Sequence, residues 1–207
     1  MPFEVEQKYP IDDSDIVVRS LQRGGWRQTT VQTHRDAYFN HPCKDFVRTG
    51  EALRIRRIDG IGHVTYKGPK LPGEIKARLE LEWPTGAGDA DGTHWERLLA
   101  ILDFRPVAVV HKQRRQFSHD QEPDLTVVID RVDELGTFAE IETVIDDAER
   151  PERDSAVATA RQRIRSLAGT LGLTRTEPRS YLTQLLALRS VNEAVDESDD
   201  PKDESTR

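Results

Sequence analysis

Eight stretches of this chain alternate between apolar and polar or charged residues at the period of a β-strand. They are FEVEQKYPI (3–11), QTHRDAYFN (32–40), ALRIRRI (52–58), HVTYKG (63–68), KARLELEW (76–83), VVHKQRRQF (109–117), LTVVIDRV (125–132) and TFAEIETVI (137–145). DGIG at 59–62 and DELG at 133–136 read as hairpin turns, and strands joined so tightly must be antiparallel. Helical periodicity appears over about 13–24, closed by Gly24 and Gly25, then over about 90–102, 151–171 ending near Gly172, and 179–190. These elements predict an α+β protein with one domain over residues 1–190. The remainder, VNEAVDESDDPKDESTR at 191–207, is acidic and nearly devoid of large apolar residues, the composition of a disordered tail.

The polar face of these strands is unusual. KARLELEW puts Lys76, Arg78, Glu80 and Glu82 on one face and Ala77, Leu79, Leu81 and Trp83 on the other. Arg54 and Arg56 oppose Leu53 and Ile55, Glu140 and Glu142 oppose Ala139 and Ile141, and Lys112 shares a face with Arg114. A single strand of this kind reads as an exposed surface laced with weak ion pairs. Several together admit another solution: a sheet closed on itself, its apolar side covered outside by amphipathic helices and its charged side lining a tunnel. Such a lumen would hold the cations Lys8, Arg54, Arg56, Lys67, Arg78, Lys112 and Arg114 and the carboxylates Glu4, Glu6, Glu80, Glu82, Asp130, Glu140 and Glu142. This mixed lining suits a polyphosphate, whose oxygens engage the cations while the carboxylates hold its accompanying divalent metal ions.

Bulk composition narrows the field. The chain has 207 residues, 36% hydrophobic and 32% charged, with a net charge of −7. That balance argues against a general nucleic-acid binder, and no apolar run approaches the roughly 18 residues of a membrane span. One cysteine, Cys43, excludes an intramolecular disulfide framework. With no basic and apolar leader pattern at the N-terminus, the expected location is cytoplasmic. His34, His63 and His111 lack the spacing of a zinc motif and read as surface or strand-edge residues. YKGPKLPG lacks the phosphate-loop pattern and reads as a turn after a strand. Arg57, Arg115 and Arg131 lie on the outward parity, Lys76 is expected to be solvated at its strand's start, and Tyr181 is expected to dock the last helix. Arg179, at that helix's N-terminal end, reads as a residue without a ligand.

EVEQK at 4–8 is the ExExK signature of the CYTH family, the triphosphate tunnel metalloenzymes. The resemblance continues in order through DAYFNHP, GEALRIRR, TYKGPK, ARLELE, KQRRQF, VVIDRVDELGTFAEIE and EPRSYLTQLL, covering residues 3 to about 187. Within the family the chain resembles the class IV adenylyl cyclases most, with thiamine triphosphatases also related. The resemblance implies an eight-stranded antiparallel tunnel that binds a triphosphate, such as ATP, with Mg2+ or Mn2+, and it makes a homodimer plausible. It implies metal-binding roles for Glu4 with Glu6 and for Glu140 with Glu142, and it makes Asp130, Glu80 and Glu82 further candidates, Glu82 being equally suited to pairing with a nearby cation. It likewise implies phosphate binding by Arg54, Arg56, Lys67, Arg78, Lys112 and Arg114.

Lys8 could neutralise its neighbours, assist the nucleophile or orient a phosphate. The flanking carboxylates predict a raised lysine pKa, which favours orientation over general-base work. Three activities remain open at this point: adenylyl cyclase, triphosphatase on inorganic, thiamine or nucleoside triphosphate, and non-catalytic polyphosphate binding. Because a guanidinium fork grips two oxygens where an ammonium grips as a point charge, Arg54→Lys is expected to weaken triphosphate binding despite its retained charge. Titration calorimetry would show this as a raised Kd.

Overall fold

The computed structural model of the chain describes residues 2–73, 75–145 and 150–198. Its strands are β1 (Phe3–Pro10), β2 (Arg27–Asn40), β3 (Ala52–Ile58), β4 (Ile61–Lys67), β5 (Lys76–Pro84), β6 (Arg105–Ser118), β7 (Leu125–Val132) and β8 (Gly136–Ile145). The helices are α1 (Ser14–Arg23), α2 (Phe46–Thr49), α3 (Thr93–Ile101), α4 (Arg150–Thr170) and α5 (Tyr181–Ser198). All strand pairs are antiparallel, and the sheet closes as a barrel in the order β1-β5-β4-β3-β2-β6-β7-β8. The fold is therefore α+β, and it is the closed eight-stranded barrel with external helices that the family resemblance implies.

Local chemistry explains several joints. Asp13 caps α1 by accepting from the Asp15 and Ile16 amides. The β3–β4 hairpin turns through Asp59 and Gly60 with φ of 49° and 88°, the twin positive angles of a turn that matches strand twist. Two strands outrun their sequence pattern: β2 begins at Arg27 and β6 at Arg105, and they pair along almost their whole length, from Arg27 opposite Ser118 to Asn40 opposite Arg105. Residues 27–31 are exposed, so no buried face imposes an alternation there. The last helix continues to Ser198, past the end its periodicity predicts, and the end of the chain from 199 lies outside the described residues.

The barrel's outward apolar side packs against the helices. Val5 and Tyr9 of β1, Val127 and Ile129 of β7 and Ala139 and Ile141 of β8 meet Val17, Val18 and Leu21 of α1 and Val157, Ala160, Ile164 and Ala168 of α4. On the far side Leu99 of α3 covers Ala37, Phe39, Ile55 and Val64. A third cluster is different in kind. Tyr38, Val110, Val132 and Phe138 share the inward parity of their strands, and they pack on Tyr181 and Leu185 of α5. Helix α5 thus sits across one end of the barrel, while α1, α3 and α4 lie along its outside.

Ile164, fully buried where α4 meets the sheet, tests this outer packing. Ile164→Ala should cost about 2–5 kcal/mol of stability, read by chemical denaturation.

Candidate active site in the barrel lumen

The inward positions bring oppositely charged side chains into contact. Arg56 grips Asp36 through two hydrogen bonds, Nε to Oδ1 at 2.8 Å and a terminal nitrogen to Oδ2 at 2.9 Å, and Arg54 reaches the same carboxylate at 3.2 Å. Lys67 bridges Glu4 at 2.6 Å and Glu80 at 2.7 Å. Lys76 holds Glu6 at 3.0 Å, with Arg78 3.7 Å from the same carboxylate. Lys112 and Arg114 converge on Asp130 at 2.8 and 2.6 Å, and Arg114 also reaches Glu140 at 2.8 Å. Glu82 accepts from Thr65 at 2.6 Å and lies 3.6–3.7 Å from Arg54 and Arg56.

The lumen sets eight basic side chains, Lys8, Arg54, Arg56, Lys67, Lys76, Arg78, Lys112 and Arg114, against eight acidic ones, Glu4, Glu6, Asp36, Glu80, Glu82, Asp130, Glu140 and Glu142. Two guanidinium Nε–H groups, on Arg54 and Arg78, are buried without a hydrogen-bond acceptor among the described residues. They are donors ready for an oxyanion.

Within this lattice Glu4, Glu6 and Glu142 bring one oxygen each to within 4.8 Å of one another. Register explains the set: Glu6 lies directly opposite Glu142 across β1 and β8, whereas Glu140 lies opposite Lys8 and turns to Arg114. Burial raises the Glu4 pKa well above the usual carboxylate range against the pull of Lys67, with Glu6 and Glu80 adding repulsion. Burial also raises Glu142, with Glu140 and Glu6 contributing. Three crowded hard oxygen donors, two of them reluctant to ionise together, form a place that a divalent cation such as Mg2+ or Mn2+ would fit and relieve. Asp130 lies elsewhere, fully buried, with its oxygens taken by Lys112, Arg114 and the Tyr181 hydroxyl.

Four sequence expectations need correction. Lys76 is buried, not solvated, because the loop before it folds back, with Leu71 bonded to Ala77 and Arg161 of α4 clamping the Pro72 and Ile75 carbonyls. His34 is 2% exposed, and both ring nitrogens lack a partner among the described residues. Its strand closes onto β6, so burial and the neighbouring Arg56, Lys112 and Arg114 push its pKa down to about 2. The Lys8 pKa is lowered to about 8, not raised: burial outweighs the attraction of Glu140 and Glu6. Tyr181 does dock α5, against Phe138, but its ring also lies 3.9 Å from the Lys8 ammonium, so it lines the site as well.

Two lumen residues escaped the sequence reading. Asp36 and His34 alternate with the outward Arg35 and Ala37 in QTHRDAYFN, the parity signal that found the other strands. Arg57 and Arg115 face outward to Glu96 and Gln28, Arg131 is exposed, His63 is half-buried and His111 exposed. Arg179 folds onto Glu177 at the surface, and Cys43 is exposed.

One cavity of about 160 Å3 is lined by most of these groups. Toward α5 its lining changes from charged to apolar, through Phe46 and Val47 of α2, Ala52, Val107, and Leu182 and Leu186 of α5. Glu51, which accepts from Thr49 and Tyr66 and pairs with Lys44 at 2.5 Å, pins the α2 segment over this end. A charged lumen thus opens directly into an apolar vestibule.

A closed antiparallel barrel lined inside by paired cations and carboxylates, with three glutamates clustered at its wall, is the architecture of a charged tunnel. The chain matches the CYTH domain over residues 2–181 and belongs to the CYTH family. It is 36% identical over 151 residues to a Methanocaldococcus jannaschii protein named "Putative adenylate cyclase MJ0240", covering 73% of this chain and 82% of that one. The PH1819 protein of Pyrococcus horikoshii is similar in structure, with a TM-score of 0.74, 36% identity and coverage of 90% of this chain and 99% of the other. A Hippeastrum protein described as a "Putative adenylyl cyclase" with a dominant triphosphatase activity shares the fold at 16% identity and a TM-score of 0.59, over 92% of this chain and 96% of its own.

Asp36 provides a test. Burial opposes its ionisation, but Arg56 and Arg54 outweigh burial and hold its pKa well below the usual range. A carboxylate with a depressed folded pKa stabilises the fold above its unfolded pKa of about 4, and that contribution is lost as pH falls toward the folded value. Asp36→Asn, which strips two buried guanidiniums of their partner, should cost about 3 kcal/mol at pH 7. The gap from wild type should narrow as denaturation is repeated below pH 4. Equal stability at pH 7 would contradict the role given to this pair.

Proposed function

We propose that this chain is a divalent-metal-dependent enzyme acting on a triphosphate, and that its reaction is that of a class IV adenylyl cyclase, converting ATP to cyclic AMP and pyrophosphate. The observation that carries the reading is the single cavity in which the charged lumen runs into the apolar vestibule beside α2 and α5. An inorganic triphosphate would have no use for that vestibule. A nucleoside triphosphate would place its phosphates among the cations and its flat base against Val47, Leu182 and Leu186.

Charge pairing supports the metal requirement. A bare polyanion entering this lumen would draw the cations from their carboxylates and leave those buried and unpaired, at a cost of several kcal/mol each. Bound at Glu4, Glu6 and Glu142, Mg2+ or Mn2+ would neutralise phosphate charge and polarise a phosphorus–oxygen bond.

The remaining work falls to the chain's own residues. Arg54, Arg56, Arg78 and Arg114 offer guanidinium donors to phosphoryl oxygens, with their largest effect where charge grows in the transition state. Lys67 and Lys112 add ammonium charge, and Lys8, still mostly protonated at neutral pH, directs its donors at the phosphate chain. Held along the tunnel, the substrate would present its ribose 3′-hydroxyl to the α-phosphorus; the new bond would form there as the hydroxyl proton passes to water, the bond to the bridging oxygen breaks and pyrophosphate leaves. A triphosphatase, the activity attributed to the Hippeastrum protein, would differ in that water attacks the terminal phosphorus and orthophosphate leaves.

Product analysis separates these reactions. Purified protein given ATP or inorganic triphosphate with Mg2+ or Mn2+ should yield cyclic AMP and pyrophosphate in equal amounts from ATP. Orthophosphate without cyclic AMP, released fastest from inorganic triphosphate, would replace the cyclase reading with a triphosphatase, and binding without turnover would make the chain a polyphosphate receptor. EDTA, or Glu4→Gln or Glu6→Gln, should lower turnover about 100-fold or more.

A further inference from the structure

Lys8 differs from its neighbours in what holds it. It is 1% exposed. Lys67, Lys76 and Lys112 each lie 3.0 Å or less from a carboxylate, but among the described residues Lys8 has none within 4.0 Å. What it has is an aromatic face: its ammonium lies 3.9 Å from the centre of the Tyr181 ring and 5.6 Å from that of Phe138. The same tyrosine ring lies 5.2 Å from the Lys112 ammonium, and its hydroxyl donates to Asp130 Oδ2 at 3.1 Å. Phe138 braces the ring at 5.2 Å and 61°, and the chain entering α5 is tied to β1 by the Glu177 amide donating to the Lys8 carbonyl at 2.8 Å.

We propose that Tyr181 is a positioning residue for the reaction: its ring face holds the Lys8 ammonium where the phosphate chain runs, and its hydroxyl fixes the Asp130 carboxylate that anchors Lys112. This rests on the reading of the lumen as a triphosphate site.

The physical advantage lies in what a ring leaves free. A carboxylate partner would occupy an ammonium N–H and would have to be displaced by an incoming phosphate. A ring quadrupole attracts the cation without accepting a conventional hydrogen bond, so the N–H donors remain available to phosphoryl oxygens. Burial with no carboxylate in direct contact favours the neutral amine, and the aromatic face opposes that. The arrangement also makes α5, which carries Tyr181, a working wall of the site.

The test compares Tyr181→Phe, which keeps the ring, with Tyr181→Leu, which removes it. In protein labelled with [13C]lysine, the Lys8 side-chain methylene next to the ammonium, assigned by its disappearance in Lys8→Met, should be shifted upfield by the ring in wild type and Tyr181→Phe. In Tyr181→Leu it should return to the position of exposed lysines. With the metal–triphosphate substrate, Tyr181→Phe should keep kcat within about threefold, while Tyr181→Leu should lose about 10- to 30-fold in kcat with KM changed less than about threefold. Ile164→Ala, which loosens the α4 packing outside the barrel, should lower Tm without this loss of kcat.

An unmoved Lys8 signal in Tyr181→Leu, full kcat despite a moved signal, or equal losses in the Phe and Leu variants would overturn the proposal. The resonance reports placement even if the wild type turns over no triphosphate. A failure of the enzymatic reading is thereby distinguished from a failure of this one.

Discussion

Buried charge of both signs is the constraint on which this molecule is organised. A closed barrel has no sheet edge and only two faces, and here the apolar face is the outer one, where α1, α3 and α4 cover it. The inner face here is charged, and ions withdrawn from bulk water persist only if they are paired and hydrogen-bonded. Asp36 with Arg54 and Arg56, and Asp130 with Lys112 and Arg114, satisfy that demand almost completely. The outer apolar packing, not the ion pairs, stabilises the barrel; the pairs fix where each charged atom stands.

That fixed lattice is matched in number of acids and bases yet uneven in detail. On one wall Glu4, Glu6 and Glu142 crowd together, while on others guanidinium Nε–H groups of Arg54 and Arg78 have no acceptor among the described residues. Excess negative charge in one place and spare donors in another are complementary to a metal–polyanion complex, with its positive and negative ends.

Helix α5 gives the barrel a direction. By laying Tyr181 and Leu185 on the inward residues Tyr38, Val110, Val132 and Phe138, it makes one end aromatic and apolar. With α2 it builds the vestibule wall from Val47, Leu182 and Leu186. Burial at this end is also why Lys8 has a lowered pKa despite two glutamates close by in sequence, since desolvation weighs more than a charge that is not in contact.

The sequence by itself determined the strands, their antiparallel pairing and the faces on which the charges lie, because side-chain direction alternates strictly along a strand and a misplaced charge cannot be buried in an apolar core. It also exposed the two sets of charged residues from which the lumen is built. Only the tertiary structure decided which of them meet. Glu142, not Glu140, joins Glu4 and Glu6 because interstrand register sets that neighbour, and register depends on strands far apart in the chain. Asp36 and His34 carried the alternation of the other strands, but Lys76 became buried only when the loop before it folded back under Arg161, and Tyr181 reached Lys8 from the opposite end of the chain. Alternation is a local property of a strand, whereas ligand sets, desolvation and the environment of a charge arise from contacts between distant segments.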